Sequence, residues 1–189
     1  MLLLYLPLYW FYVMLFHHYF DQFYKKKNMI RPKPTIRFDN WFWCTCFLVL
    51  LGYSPLSITN MLLILMGISL SIIDIHYYVV DPVLSKLFYL AVLTSQLPNI
   101  HIILPVIVLL ILLLINYFLP GQLGFGDVKL LVMWATCLSS LQLIWLIFIA
   151  SSLGILFILF MNSLSSERIE KIAFVPFLTT ALTVVIYLF

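Results

Sequence analysis

Residues 101–119 read HIILPVIVLLILLLINYFL, an unbroken run without a charged side chain. A helix needs about 20 apolar residues to cross about 30 Å of hydrocarbon, so this segment has membrane length. Apolar runs bounded by polar or breaking residues recur along the chain, at 1–20, 40–55, 58–78, 82–97, 101–119, 127–140, 142–162 and 172–189. Charged residues make up 9% of the 189, against about 25% in an average soluble domain. A water-soluble globular fold, a disordered chain and a nucleic-acid-binding domain are all excluded by so little charge beside so much Leu, Ile and Phe. The expected fold is all-α: a polytopic membrane bundle of about eight helices, with the lipid bilayer as its main partner.

Orientation follows from the cations, which collect in short cytoplasmic loops. Lys25, Lys26, Lys27, Arg31, Lys33 and Arg37 follow the first run, Lys86 opens the fourth, Lys129 opens the sixth, and Arg168 and Lys171 precede the last. With the amino terminus outside, all ten Lys and Arg fall on the cytoplasmic face. The first run is too long and aromatic for a signal h-region, lacks a basic start, and is expected to be retained as a span. Run 40–55 is broken early by Gly52, Ser54 and Pro55, and is the weakest span.

An Asp in a membrane helix costs on the order of 3 kcal/mol at the bilayer centre, less near an interface, so it is kept for a partner or a purpose. Asp21, Asp39, Glu167 and Glu170 lie in cytoplasmic loops as solvated charges. Asp74 lies near the inner end of the third run, where Asn60, Gly67, Ser71, Asp74 and Tyr78 share one helical face. That stripe should face protein or water. Asp81 before Pro82 has the form of a helix N-cap with proline at the first helical position. Asp127 follows Gly124-Phe125-Gly126 and stands at the amino end of the sixth run. The glycines permit a tight turn and a close approach there. Lys129 suits an anchor that snorkels to the headgroups. Two crossings separate Asp74 from Asp127, so both belong at similar depth near the cytoplasmic surface.

The string Gly124-Phe125-Gly126-Asp127-Val128-Lys129-Leu130, with Asp74 near the end of an earlier span, resembles the type IV prepilin leader peptidases, intramembrane aspartyl proteases of the Gly-x-Gly-Asp type. In that family the first catalytic Asp is followed a short distance on by a Pro-Asp or Pro-Asn pair; here Asp81-Pro82 has the reverse order. Ile172-Ala173-Phe174-Val175-Pro176-Phe177-Leu178 is similar to the family's Ile-Pro-Phe-Gly-Pro-Phe-Leu. The likeness covers about residues 58–189, the expected protease core, and leaves 1–57 as amino-terminal spans around the basic loop 21–39. It implies Asp74 and Asp127 as the catalytic pair, Gly124, Gly126 and Lys129 as their supporting motif, and Asp81 and Pro176 as secondary positions. It also implies a prepilin or pseudopilin substrate, whose basic leader ends in Gly before an apolar helix and stays in the cytoplasm. Many members carry two Cys-x-x-Cys pairs after span one and an amino-methyltransferase activity. Loop 21–39 has no cysteine, and Cys44 and Cys46 suit buried packing, so the likeness does not extend to methylation. In this the chain resembles the small competence-type members of Gram-positive bacteria.

Two close carboxylates in a poorly hydrated site do not both ionise cheaply, so the pair is expected to share one proton. That is the equipment for activating a water without metal or cofactor. A serine mechanism lacks its string, since no Gly-x-Ser-x-Gly occurs, and of His17, His18, His76 and His101 only His76 lies near the aspartates. No His-Glu-x-x-His string occurs, and three cysteines do not complete a structural zinc site. The rival class is a proton-coupled transporter, which needs polar groups at mid-membrane, whereas here the ionisable groups gather at the inner face. An inactive membrane assembly subunit is the remaining alternative.

Overall fold

A computed structural model of the protein describes residue 18 and residues 57–95, 101–120, 124–164 and 172–189. Runs 1–20 and 40–55 and the loop 21–39 lie outside the described residues, His18 apart. The described elements are all helical and belong to one compact unit, Ser57–Phe189: α1 (Ile58–Tyr77), α2 (Pro82–Ser95), α3 (Ile103–Phe118), α4 (Phe125–Ala135), α5 (Ser140–Leu164) and α6 (Val175–Leu188).

Helix α1 starts where Ser57 caps it, its side chain accepting from the Asn60 amide at 3.2 Å. It is the core helix. Leu63, Ile64, Met66, Leu70, Ile72 and Ile73 are all buried, and so are Ser69 and, on its polar side, Ser71 and Asp74. The stripe of Gly67, Ser71 and Asp74 faces protein as expected, but the apolar remainder of α1 is enclosed too, because α2 and α6 both pack on it. Helix α2 returns beside α1, and Thr59 near the start of one meets Ser95 at the end of the other, hydroxyl to hydroxyl at 3.1 Å. Helix α5 packs on α6, with Phe157 against Phe177 at 5.4 Å between ring centroids, and α3 pairs with α4.

Helices α3 and α5 have a different environment. Only Pro105, Val108 and Leu112 of α3 are buried, a stripe at helical spacing, while Ile103, Leu110 and Leu114 among others are exposed. The stretch Ser140–Ser163 of α5 is long and apolar enough to cross a bilayer, and most of it is exposed. So large a continuous apolar surface demands an apolar surrounding.

Helix α4 is shorter than the run 127–140, and at about 1.5 Å per residue its 11 residues extend only about 16 Å. It stops because Thr136 turns its hydroxyl onto the Met133 carbonyl at 2.6 Å and the backbone tightens into short turns. Ser139 and Gln142 then form a reciprocal capping box that opens α5. The Gln142 amide donates to Ser139 Oγ at 3.3 Å, and the Ser139 amide donates to Gln142 Oε1 at 2.9 Å.

Candidate active site

Three helix beginnings and one helix end converge on a pair of carboxylates. Asp74 lies in the last turn of α1. Its carbonyl accepts from the Tyr78 amide at 2.8 Å, and Tyr78 closes the helix in the left-handed conformation, φ 53° and ψ 36°. Tyr78 is the only non-glycine residue with positive φ among the described residues, and it is exposed. A β-carbon in that region is strained, and after the turn it makes Val79 and Val80 continue as non-helical chain.

Asp81 ends that linker as the expected N-cap. Its Oδ2 accepts from the Leu84 amide at 3.2 Å, and Pro82 is the first residue of α2. Asp127 occupies the first turn of α4, behind the N-cap Gly124. Gly126 decides how close that turn can come to the linker. A β-carbon added there would lie 2.6 Å from Val80 Cγ2 and 2.8 Å from Val80 Cβ, inside any tolerable contact. Without one, the amino end of α4 rests on Val80, and Asp127 turns toward the end of α1.

The result is a cavity of about 280 Å³ lined by Asp74 and Asp127 together with the linker residues Tyr78, Val79 and Val80, by Pro82 and Ser85 of α2, and by Gly124, Phe125, Gly126 and Lys129. Asp74 is held by a third element. Its Oδ2 accepts from the amide of Val175, the first residue of α6, at 3.0 Å in a buried setting. That amide is one of the donors a helix leaves unsatisfied at its start, and a carboxylate there also complements the helix dipole.

Of the residues singled out from sequence, the fold therefore brings together Asp74, Asp127, Gly124, Gly126 and Lys129 around one cavity. Asp81 and Pro176 do not line it. Asp81 is 2% exposed and engaged at the start of α2, and Pro176 is the second residue of α6, next to the amide that holds Asp74. The side chain of His76 lies outside the described residues. Sequence reasoning missed Val175, because its contribution is a backbone amide and carries no side-chain signal. It also missed Tyr78 as the left-handed stop of α1. Among the described residues no group of three His, Cys, Asp or Glu stands where it could hold a metal ion.

Two buried or half-buried aspartates at helix ends line one cavity in an all-helical apolar scaffold, and they define a candidate acid–base site. A family model described as the type IV leader peptidase family matches residues 61–159, which include both aspartates and the Gly-x-Gly-Asp string. The chain belongs to that family and is accordingly a peptidase of the leader-peptidase type. No curated protein and no solved structure matches it.

Proposed function

We propose that the protein is an intramembrane aspartyl endopeptidase that removes the basic leader from type IV prepilins or competence pseudopilins at the cytoplasmic face of the bacterial cell membrane. The observation that carries this is the shared cavity: Asp74 from the end of α1 and Asp127 from the start of α4 line one space, although 52 residues and two helices separate them in the chain. The family supports a prepilin-type substrate, and the distribution of Lys and Arg supports a multi-pass chain of eight spans with its amino terminus outside.

In this mechanism one carboxylate of the pair is ionised and takes a proton from a water whose oxygen attacks the scissile carbonyl. The other carries the shared proton and donates it to the carbonyl oxygen as the tetrahedral species forms. The C–N bond then breaks. The leaving amine takes a proton from the first carboxyl, the oxygen returns its proton to the second, and the pair regains its starting state. No covalent intermediate forms.

Co-expression with a pilin precursor tests the proposal, scored by a gel shift and by the new amino terminus. Asp74→Asn and Asp127→Asn are each expected to lower cleavage by about a thousandfold or more while the protein still accumulates in the membrane. Asp81→Asn is expected to cleave within about threefold of wild type, since Asn caps a helix about as well as Asp. Full processing by Asp127→Asn would end the protease assignment. For topology, an impermeant thiol reagent applied from outside is expected to label cysteines placed at 98–100 and to miss those placed in 21–39.

A further inference from the structure

Two hydroxyl groups outside the cavity complete a circuit around Asp74. Ser71 lies one turn before Asp74 on α1, and Thr179 lies one turn after Val175 on α6. Their oxygens are 2.8 Å apart in a buried contact. Thr179 Oγ1 also donates to the Val175 carbonyl at 2.9 Å, and Ser71 Oγ reaches the Gly67 carbonyl at 2.8 Å. Two hydroxyl hydrogens serve these three contacts. The order in which Ser71 donates to Thr179, and Thr179 to the Val175 carbonyl, links α1 without a break to the residue whose amide holds Asp74.

Neither hydroxyl has water to replace its partner, Ser71 being 4% and Thr179 5% exposed. Gly67 makes the contact possible, because a β-carbon there would lie 2.8 Å from Thr179 Cγ2 and 2.9 Å from its hydroxyl. The other threonines of α6, Thr180 and Thr183, bond to carbonyls of their own helix. Thr179 alone among them crosses to α1.

We propose that Ser71 and Thr179 are positioning residues for the proteolytic reaction: their hydroxyl link fixes the register of α6 against α1, and so sets the Val175 amide on the Asp74 carboxylate at the angle the site needs. The proposal rests on the assignment of Asp74 and Asp127 as the catalytic pair. A misplacement of about 1 Å at a reacting group is enough to cost on the order of a hundredfold in rate, whereas the loss of one hydrogen bond between neutral groups costs little stability when the remaining hydroxyl still reaches a carbonyl, as Ser71 reaches that of Gly67. Positioning should therefore show in turnover more than in folding.

The test uses the purified full chain in lipid nanodiscs and a precursor peptide with a basic leader, a Gly at its end and an apolar helix beyond. Thr179→Val, nearly the same shape without the hydroxyl, is expected to lower kcat about ten- to a hundredfold with KM within about twofold. Thr179→Ser, which restores the hydroxyl, is expected to return kcat to within about threefold. Ser71→Ala removes the same link with a smaller change, and serves if Thr179→Val does not accumulate. Thr59→Val breaks the Thr59–Ser95 contact near the far end of α1 and is expected to leave both constants unchanged. A second readout needs no cleavage: the rate at which an apolar carbodiimide labels Asp74, followed by mass spectrometry, is expected to change about threefold or more in Thr179→Val and to stay put in Thr59→Val. Unchanged kcat and labelling in Thr179→Val, or an equal loss in Thr179→Ser, overturns the proposal. If the wild-type chain leaves the precursor whole, the protease assignment fails, and the labelling rate decides the hydroxyl link by itself.

Discussion

Helices α1 and α5 are the longest described, 20 and 25 residues, and both are built mainly from Leu, Ile, Phe and Met. The first is enclosed along nearly its whole length, while the second buries only a stripe that includes Leu143, Leu146, Ala150 and Gly154. Apolar content does not separate them, because hydrocarbon chains of lipid and of protein are equally good partners for a leucine. What separates them is where their small and polar groups find partners. On helix α1, Thr59 meets Ser95 of α2, Gly67 and Ser71 meet Thr179 of α6, and Asp74 accepts from the Val175 amide of α6, so each has its partner or its close approach on another helix. Ser152 of α5 satisfies itself locally, donating to the Phe148 carbonyl at 2.8 Å. The lesson is that in an apolar chain the scarce polar groups, rather than the abundant apolar ones, choose the core.

The sharpest way to break this comparison is to make the same truncation on both helices. Leu70 is fully buried on α1 and Leu159 is 62% exposed on α5. Leu70→Ala is expected to destabilise the protein by about 2–5 kcal/mol through the cavity it leaves. Leu159→Ala should stay within about 0.5 kcal/mol. Reversible denaturant unfolding in mixed micelles measures both, and equal losses would show that α5 is enclosed as well.

A second pair compares glycines. A β-carbon at Gly67 would stand 2.8 Å from a threonine methyl whose hydroxyl is already tied, whereas one at Gly154 would meet Phe174 at an ordinary 3.6 Å. Gly67→Ala is expected to cost about 1–3 kcal/mol by forcing α1 and α6 apart. Gly154→Ala is expected to be neutral or to stabilise by up to about 1 kcal/mol through helix propensity. The same unfolding measurement decides, and a stable, fully active Gly67→Ala would remove close packing from the account of the core helix.

A smaller loss than at Leu70 or Gly67 is expected at the start of α2. Asp81→Ala removes a cap and should cost about 1 kcal/mol, with cleavage reduced only as far as the linker Val79–Val80 loses its place. The thermal midpoint and the cleavage rate, measured on one preparation, separate the two. A collapse in cleavage at unchanged stability would move Asp81 from a structural cap into the reacting site.

Much of this was legible along the chain. The helical class, the ends of α1, α2 and α3 to within a few residues, the capping role of Asp81 and the glycines before Asp127 all depend on neighbours within one helical turn, where residue type acts directly on backbone geometry. The end of α4 was not legible, because an apolar run gives no warning that Thr136 will capture a carbonyl and stop the helix. The enclosure of all sides of α1 was not legible either, since one polar stripe indicates one protein-facing side and is silent about the others.

Sequence by itself determined that the chain folds as apolar helices and that Asp74 and Asp127 are its least easily excused charges, because the cost of an unpaired carboxylate in an apolar helix is a property of the group. Only the tertiary structure decided that the two line one cavity, that Gly126 must lack a side chain to let Val80 in, and that a backbone amide from the start of α6 holds Asp74. Those outcomes depend on distances between segments far apart in the chain, and on main-chain groups that every residue but proline possesses. Spacing along a sequence does not encode them; the packing of one helix against another does.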